Sequence, residues 1–296
     1  MVWEIMKKLC ILLCGIFFLL LALPIFNCFT GYDIHRNIKY GEKSVNVMDV
    51  YIPQAAYKRE RNGCVLFIHG GSWSGGDKKE ESFRCRLLAS RGYISASLNY
   101  TLWSEATAKE YTVFEVLDEI KRALLKLKDF TAERGLSVEK VGITGYSAGA
   151  HLAMLYSYSQ GDTAPMELAF TASIAGPAEI SPKVWGEDMT IRIAKRLTGK
   201  TISEEMLRLG EADELLASIS PTSYINENTP PTLIMHGGKD NVVPPANADF
   251  LTQKLSQNSI AYDYIHLKNS NHTLIQNPFK HLEYYEVLVK YCKRYF

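Results

Sequence analysis

Short apolar runs alternate along this chain with stretches in which apolar residues recur every three or four positions. A run of the first kind covers residues 64–68, and residues 93–98 are nearly one, interrupted only by small serines. Their length suits strands that are buried on both faces, and residues 140–144 are predicted as another buried strand. Between residues 108 and 127, by contrast, apolar residues recur at helical spacing. Strands that alternate with helices predict one mostly parallel sheet, covered by helices on both faces.

The same alternation continues toward the C-terminus, beginning with a predicted helix over residues 148–158. Further elements are expected as strands over residues 45–51, 169–174, 232–235 and 261–267, and as helices over residues 247–256 and 278–294. The strand over residues 45–51 is expected at an edge of the sheet, because its apolar residues alternate and one falls out of step.

Residues 179–228 do not follow this alternation. They contain no convincing strand and at least one predicted helix, around residues 203–216, while residues 218–224 are expected to form a loop. In open α/β sheets, ligands bind beyond the carboxyl ends of the strands. We therefore expect the segment to be an insertion over a site at that edge, and not a separate domain.

The N-terminal residues are of a different kind. Two lysines precede an almost uninterrupted apolar stretch over residues 9–26, which is close to the minimum length of a membrane-spanning helix. The apolar core of a signal peptide is usually shorter, and no clear cleavage site follows. We predict an exported protein, either secreted or anchored by a retained segment, with the anchor preferred. The chain then divides into a signal or anchor, residues 1–28, and one catalytic domain, residues 29–296.

Composition argues against several partners and cofactors. The 296 residues include 33 Lys and Arg against 32 Asp and Glu, with no long basic run, so no nucleic-acid partner is expected. The six cysteines show no Cys-x-x-Cys spacing, and neither a metal nor an organic cofactor is expected. Of the six cysteines, only Cys85 and Cys292 are candidates for a disulfide, and the sequence does not establish that they pair.

The first motif with chemical meaning is Gly145-Tyr146-Ser147-Ala148-Gly149, which lies between a predicted buried strand and a predicted helix. A sharp strand-to-helix turn needs small neighbours, and it lifts the serine hydroxyl above the sheet beside a helix N-terminus. This placement predicts a nucleophilic serine. The alternative is a serine in a simple glycine turn, which would not need to lie between a buried strand and a helix.

The second motif, His-Gly-Gly-Ser-Trp over residues 69–73, directly follows a predicted strand. Two consecutive glycines permit backbone conformations that aim N–H groups into a cavity. The N–H groups of Gly70, Gly71 and Ala148 are predicted to form an oxyanion hole. His69 is expected to organise this loop and not to carry a proton, and the alternative reading of the motif is an ordinary glycine turn.

A serine nucleophile needs a base, and histidine suits that task near neutral pH. Among the seven histidines, His272 alone lies in a loop after the last predicted strand. Asp240 follows the preceding strand and is suited to holding the imidazole in the useful tautomer. The predicted catalytic residues are therefore Ser147, Asp240 and His272.

Two of these segments together resemble a known group. His-Gly-Gly-x-Trp-x-x-Gly-Asp-Lys over residues 69–78, with Gly-Tyr-Ser-Ala-Gly-Ala-His-Leu over residues 145–152, is similar to the esterase branch of the α/β-hydrolases. Hormone-sensitive-lipase-like carboxylesterases and acetyl- or feruloyl-esterase-like domains share these segments. The resemblance runs from Ile34 to the C-terminus, and it implies an α/β-hydrolase fold with the chain order Ser, Asp, His. Ser72 replaces a glycine of many hormone-sensitive-lipase relatives, which favours the acetyl- and feruloyl-esterase-like branch and short acyl groups.

The expected function is hydrolysis of a small-molecule carboxylic ester, with a short acyl chain, through an acyl-enzyme intermediate. An amidase or serine peptidase of the same fold, such as an arylformamidase, would use the same catalytic residues and stays open. A non-catalytic binding protein would have little reason to keep all three side chains. A membrane-anchored structural protein is supported by the N-terminus alone.

Overall fold

The computed structural model describes residues 31–108, 111–276 and 278–296. An eight-stranded sheet forms its centre, with the spatial order β1-β2-β4-β3-β5-β6-β7-β8. The strands are β1 (Tyr32–Lys39), β2 (Val47–Pro53), β3 (Asn62–Ile68), β4 (Ile94–Leu98), β5 (Val138–Tyr146), β6 (Glu167–Ile174), β7 (Thr232–Gly237) and β8 (Tyr262–Leu267). Strand β2 runs antiparallel to its neighbours β1 and β4, and the other neighbouring pairs are parallel. The predicted mostly parallel sheet is thus confirmed.

Helices cover both faces of the sheet, also as predicted. They are α1 (Ser82–Ser90), α2 (Val113–Ala132), α3 (Ala148–Ser159), α4 (Pro182–Trp185), α5 (Glu187–Thr198), α6 (Glu204–Leu209), α7 (Asp213–Ser218), α8 (Ala246–Gln257) and α9 (Pro278–Tyr295). The described residues also form four short 3-10 helices, at Gln54–Lys58, Lys78–Glu81, Gly161–Thr163 and Pro221–Tyr224.

The alternation of side chains along β3 shows how the two faces are built. Cys64, Leu66 and Ile68 belong to one apolar core, which also contains the inner faces of α2 and α3. Val65 and Phe67 point the other way, into a second core that includes α1 and α9. Every residue of this strand is buried, and burying each large apolar side chain contributes about 1.5–3 kcal/mol. The continuous apolar run in the sequence therefore reflects a strand with protein on both sides.

One prediction about the edge of the sheet was wrong, and the strand at that edge was missed. The strand predicted over residues 45–51 is β2, which lies between two neighbours and not at an edge. The strand at that edge is β1, which the apolar pattern did not indicate, because all of its residues are partly or fully exposed. A register shift between His35 and Ile38, with Asn37 at φ 54°, further interrupts its alternation.

The predicted insertion over residues 179–228 contains four α-helices and, among its described residues, no strand. Helix α5 was not predicted, although acidic residues open it and Gly199 ends it at φ 71°, both common helix signals. The helix expected over residues 203–216 is divided into α6 and α7 at Gly210. The loop expected over residues 218–224 contains the 3-10 helix Pro221–Tyr224.

Cys85 and Cys292 are both buried and carry free thiols, so they do not form a disulfide. The predicted signal or anchor over residues 9–26 lies outside the described residues. Within the described ranges, every helix is too short or too polar to cross a bilayer.

Candidate active site

Ser147 lies at the tight turn between β5 and α3. Its backbone has φ 53° and ψ −120°, a conformation that costs a non-glycine residue roughly 1–3 kcal/mol. The surrounding packing enforces it, since the Ser147 N–H donates to the carbonyl oxygen of Ile174 at 2.8 Å. A Cβ atom on Gly149 would lie 2.0 Å from the Ile68 carbonyl oxygen, and one on Gly145 would lie 2.3 Å from the carbonyl carbon of Gly149. Neither Gly145 nor Gly149 therefore has room for a side chain.

The structure brings the three predicted polar side chains into one hydrogen-bonded chain. The Ser147 Oγ lies 3.0 Å from Nε2 of His272, and Nδ1 of His272 lies 2.8 Å from Oδ2 of Asp240. Ser147 is 7% exposed, and the side chain of His272 is 13% exposed against 0% for Asp240. The serine and imidazole are thus reachable from solvent at their outer atoms, and the carboxylate is sealed behind them.

Asp240 is fixed and kept ionised by its own loop. Its Oδ1 accepts hydrogen bonds from the N–H groups of Val242 at 2.9 Å and Val243 at 2.8 Å. Burial acts to raise the pKa of Asp240, but the hydrogen bonds from His272, Val243 and Val242 outweigh it, so the net pKa is lowered. The carboxylate is therefore available to hold an N–H of the imidazole across the neutral pH range.

Tyr146 supports the histidine loop, a role that the sequence analysis did not assign. Its hydroxyl donates to the backbone carbonyl oxygen of His272 at 2.8 Å, and the two rings lie 5.2 Å apart. Burial, with the nearby Asp240 carboxylate, raises the pKa of Tyr146 to about 12. The phenol therefore stays protonated and remains a hydrogen-bond donor. The sequence feature that could have indicated this role is the position of Tyr146 directly before Ser147.

A second imidazole stands behind Asp240. His236, at the end of β7, is buried, and its Nε2 donates to the carbonyl oxygen of Val243 at 3.0 Å. The same nitrogen lies 3.5 Å from Oδ2 of Asp240. Burial lowers the pKa of His236, so the ring is neutral near pH 7 and packs the acid loop without adding charge.

The glycine loop after β3 approaches the serine closely. A Cβ atom on Gly70 would lie 2.9 Å from the Tyr146 carbonyl oxygen and 3.5 Å from the Ser147 Cβ. Gly71 has φ 110°, which only glycine adopts without strain, and a Cβ there would lie 2.2 Å from the Gly75 carbonyl oxygen. The backbone N–H groups of Gly70 and Gly71 donate no hydrogen bond to any described residue. Ala148 is the first residue of α3, where a helical N–H has no partner within the helix.

The glycine loop is held in shape by His69 and by its own turns. The Nδ1 of His69 donates to the Gly70 carbonyl oxygen at 2.8 Å, and its ring stacks on Tyr100 with centroids 4.4 Å apart. Ser72 and Trp73, which follow Gly71 in the loop, both have positive φ angles, 52° and 60°. His69 thus contacts the loop and not the Ser147 hydroxyl, as expected of an organising residue.

His151 connects the glycine loop to the insertion. Its Nδ1 accepts a hydrogen bond from Trp73 Nε1 at 3.2 Å, and its Nε2 donates to the carbonyl oxygen of Ile219 at 2.9 Å. Because an indole N–H can only donate, Nδ1 must be unprotonated and the ring neutral. Burial lowers the pKa of His151 to about 4, against 6.5 for an ordinary histidine. One neutral ring therefore ties together the loop, helix α3 and the segment above the site.

The continuation of the loop is anchored to the sheet by a buried ion pair. The Lys78 ammonium lies 2.6 Å from Oδ1 of Asp49, and both side chains are almost fully buried. Asn99 accepts from the Lys78 N–H at 2.6 Å and donates to Oδ2 of Asp77 at 2.9 Å. The Gly-Asp-Lys end of the motif thus fixes the loop to β2 and to the end of β4, and it does not face the serine.

A cavity of about 290 Å³ opens directly onto Ser147 and Ala148. Its far wall comes from α4 and α5 of the insertion and is made of Trp185, Met189, Arg192, Ile193 and Arg196. The sequence did not predict that these residues line the site, because no sequence motif indicates where a helix of the insertion lies relative to the serine. Within the described residues, no group of three His, Cys, Asp or Glu side chains is placed to hold a metal ion.

This strand order, with a Ser–His–Asp chain at the carboxyl ends of the strands, defines an α/β-hydrolase. The chain belongs to the BD-FAE family, whose model matches residues 48–255, more than half of its length. The predicted resemblance to an α/β-hydrolase esterase group is thereby confirmed.

Similar curated proteins include the esterase LipQ of Mycobacterium tuberculosis, 25% identical over 77% of this chain and 54% of that protein. A probable isoprenylcysteine alpha-carbonyl methylesterase of Oryza sativa, ICMEL1, is 24% identical over 85% of this chain and 60% of its own length. The chain thus spans little more than half the length of these relatives.

Solved structures agree on the fold. A truncated carbohydrate esterase from gut microbiota superposes with a TM-score of 0.74 at 17% identity, covering 89% of this chain and 98% of that one. An inhibited esterase B from Lactobacillus rhamnosis gives a TM-score of 0.70 at 20% identity, over 94% and 93% of the two chains.

Proposed function

We propose that this protein is a serine hydrolase that cleaves carboxylic esters through an acyl-enzyme intermediate. The observation that carries the proposal is the continuous hydrogen-bonded chain from Ser147 through His272 to Asp240, beside a glycine loop with free backbone donors. Membership of the BD-FAE family and the esterase names of the relatives support it.

In the first step the Ser147 Oγ attacks the carbonyl carbon of the ester. As the O–C bond forms, Nε2 of His272 accepts the hydroxyl proton, for which its distance of 3.0 Å is suitable. The π electrons of the carbonyl move onto its oxygen, which becomes an oxyanion. Asp240 holds the N–H at Nδ1 and stabilises the imidazolium that forms.

The oxyanion is bound by the backbone N–H groups of Gly70, Gly71 and Ala148. Peptide donors that are fixed before the reaction stabilise developing charge without reorganising. The first two amides have no other described acceptor, and the third lies at the N-terminus of α3, where the helix dipole adds favourable potential.

The intermediate then collapses: the bond between the acyl carbon and the alcohol oxygen breaks, and the alcohol leaves with the proton from His272. A water molecule, deprotonated by the now neutral His272, attacks the acyl group and releases the acid and free Ser147. Amides should react more slowly, because an amine leaving group is poorer and must be protonated as it departs.

The direct test is hydrolysis of para-nitrophenyl acetate by the wild type and by Ser147→Ala. We expect the variant to lose on the order of 10⁶ in kcat, as in other triads, while its circular dichroism spectrum stays unchanged. A Ser147→Ala protein that keeps more than about a tenth of the wild-type rate would contradict the assignment of the nucleophile. An amide hydrolysed faster than its matching ester would favour an amidase instead.

We propose further that short acyl groups, of about two to four carbons, are preferred. A long chain gains about 0.8 kcal/mol for each buried methylene only where a continuous apolar groove receives it. The cavity beside Ser147 is about 290 Å³, and two arginines interrupt its apolar wall. The kcat/KM values for para-nitrophenyl esters of increasing acyl length should fall beyond the short acids. A steady climb to twelve carbons would indicate a lipase.

Export is proposed from the N-terminal sequence alone. Residues 9–26 are apolar and follow two lysines, which favours a retained anchor or a signal with the catalytic domain outside. Cell fractionation should place the full chain with membranes or outside the cell, and a chain without residues 1–28 should keep its ester hydrolysis. Recovery of the intact chain as a freely soluble cytoplasmic protein would contradict this.

A further inference from the structure

The wall of the cavity opposite Ser147 carries two positive charges. Arg192 and Arg196 lie one turn apart on α5, and both line the same cavity as the serine. Residues four positions apart share one face of a helix, so the two guanidinium groups can reach one ligand together. The helix belongs to the insertion, and no step of the proposed hydrolysis uses either side chain.

Neither arginine is neutralised by the part of the protein that the structure describes. Arg192 is exposed and makes no hydrogen bond there, while Arg196 donates from Nη1 to the Ser72 carbonyl oxygen at 3.2 Å and lies 4.9 Å from the centre of the Trp103 ring. No described carboxylate lies within ion-pair distance of either one, although Arg84 and Arg91 are paired elsewhere. Arg196 is thus oriented by contacts that leave its charge uncompensated.

The nearest acidic residues do not line the cavity, although two of them lie on α5. Glu187 and Asp188, in its first turn, line a shallow neighbouring depression together with Glu204. Arg192 borders that depression too, but none of the three carboxylates lines the cavity that opens onto Ser147. The charged part of the cavity wall is therefore positive.

Resting on the proposed ester hydrolysis, we propose that the preferred substrate is an ester carrying a carboxylate group, which Arg192 and Arg196 bind. The guanidinium group is planar and matches a carboxylate with two parallel hydrogen bonds. In a partly enclosed cavity, water screens the attraction less than on an open surface. Trp185, Met189 and Ile193 supply the apolar contacts for the carbon part of such a ligand.

The test compares matched substrates that differ in one charge. On the alcohol side, para-acetoxybenzoate is compared with para-acetoxybenzamide; on the acyl side, the para-nitrophenyl monoester of adipic acid is compared with para-nitrophenyl hexanoate. We expect kcat/KM to favour the charged member of at least one pair by about tenfold, the effect of a hydrogen bond to a charged group. The preference should decrease as salt is added.

Four variants separate the arginines from the general charge of the protein. Arg192→Gln and Arg196→Gln should each reduce the preference for the charged substrate, and in Arg192→Gln the kcat/KM for the neutral partner should change less than about twofold. Because Arg196 also donates to the Ser72 carbonyl oxygen of the glycine loop, the readout for Arg196→Gln is the ratio of the two kcat/KM values. Lys195→Gln removes the same charge from an exposed position of α5 that does not line the cavity, and it should keep the preference. Arg192→Lys should retain part of it. Because Arg192 is exposed and has no hydrogen bond or ion pair among the described residues, Arg192→Gln should fold normally.

The outcomes of this test distinguish the two proposals. If neutral esters are hydrolysed through Ser147 but neither charged substrate is preferred, or if the preference survives both arginine substitutions, the carboxylate site is wrong and the hydrolase remains. If no ester in either pair is hydrolysed, the proposed function itself fails. Loss of the preference in both arginine variants, with its retention in Lys195→Gln, supports the site.

Discussion

The two sides of the cavity are built in different ways. On the sheet side, the segments around Ser147 and Gly71 have positive φ angles and contacts too close for a Cβ atom. On the insertion side, α5 is a regular helix whose exposed side chains, such as Met189 and Arg192, face the cavity. The sheet side thus fixes backbone geometry, which the chemistry needs, whereas the insertion side offers side chains that can change without moving the backbone. We infer that the first sets the reaction and the second sets the choice of ester.

His151 shows that the two sides are nevertheless connected. It lies on α3, accepts a hydrogen bond from Trp73 of the glycine loop, and donates to Ile219 of the insertion. A change on the insertion side can therefore reach the oxyanion hole through one ring. The following predictions separate effects on chemistry from effects on this connection.

The largest effect in this series is expected from Asp240→Asn. The asparagine amide can donate a hydrogen bond to Nδ1 of His272. This favours the tautomer that carries its proton on Nε2, which cannot accept the proton of Ser147. We expect kcat for para-nitrophenyl acetate to fall by roughly 10⁴, as in other triads. If the variant is close to the wild type, another acid must hold the imidazole.

A smaller loss is expected from Gly71→Ala. The new Cβ would lie 2.2 Å from the Gly75 carbonyl oxygen, so the loop must move and one oxyanion donor is displaced. Loss of one such donor costs about 10² to 10³ in kcat, while KM should change little. As a matched control, Gly135→Ala alters a positive-φ glycine with no neighbour within 4 Å, and its kcat should stay near wild type. Equal kcat values for the two variants would contradict the role of the glycine loop.

The smallest effect concerns stability and pH. Because the pKa of His151 is lowered in the folded protein to about 4 from 6.5, its contribution is fully present above about pH 6.5. That contribution is lost as the pH falls toward 4, since the unfolded chain then binds a proton that the folded chain does not. His69 and His236, whose pKa values are also lowered, act in the same direction.

His151→Gln, which cannot titrate, tests this. Urea unfolding should show a loss of about 1–3 kcal/mol at neutral pH, because buried hydrogen bonds are broken. The variant should also have a shallower decline in unfolding free energy than the wild type between about pH 6.5 and 4.5. Parallel curves for the two proteins would mean that His151 is not buried as a neutral ring.

Much of the sheet could be predicted from the sequence, for reasons visible in particular strands. β3 is buried on both faces, so burial forces an apolar run that is easily recognised. β1 is partly exposed and interrupted by a register shift, so neither alternation nor a run marks it. The hydrophobic pattern reports burial, and it fails where the strand is not buried.

The candidate site divides in the same way. Ser147 and Gly71 stand in motifs because steric contact restricts their neighbours, and the chain order after β7 and β8 indicates Asp240 and His272. Arg192 and Arg196 stand in no motif, because only the side of α5 on which they lie brings them to the cavity. Their position over the serine depends on how the insertion folds back across the sheet, which no local pattern contains.

The central claim is that Ser147 is a nucleophile activated by His272, and covalent labelling tests it most directly. A fluorophosphonate probe should label the wild type at one residue, mapped by mass spectrometry to the peptide that contains Ser147. Labelling should vanish in Ser147→Ala and slow by orders of magnitude in His272→Ala, because the serine then lacks its base. Labelling of another residue, or an unchanged labelling rate in His272→Ala, would contradict the account.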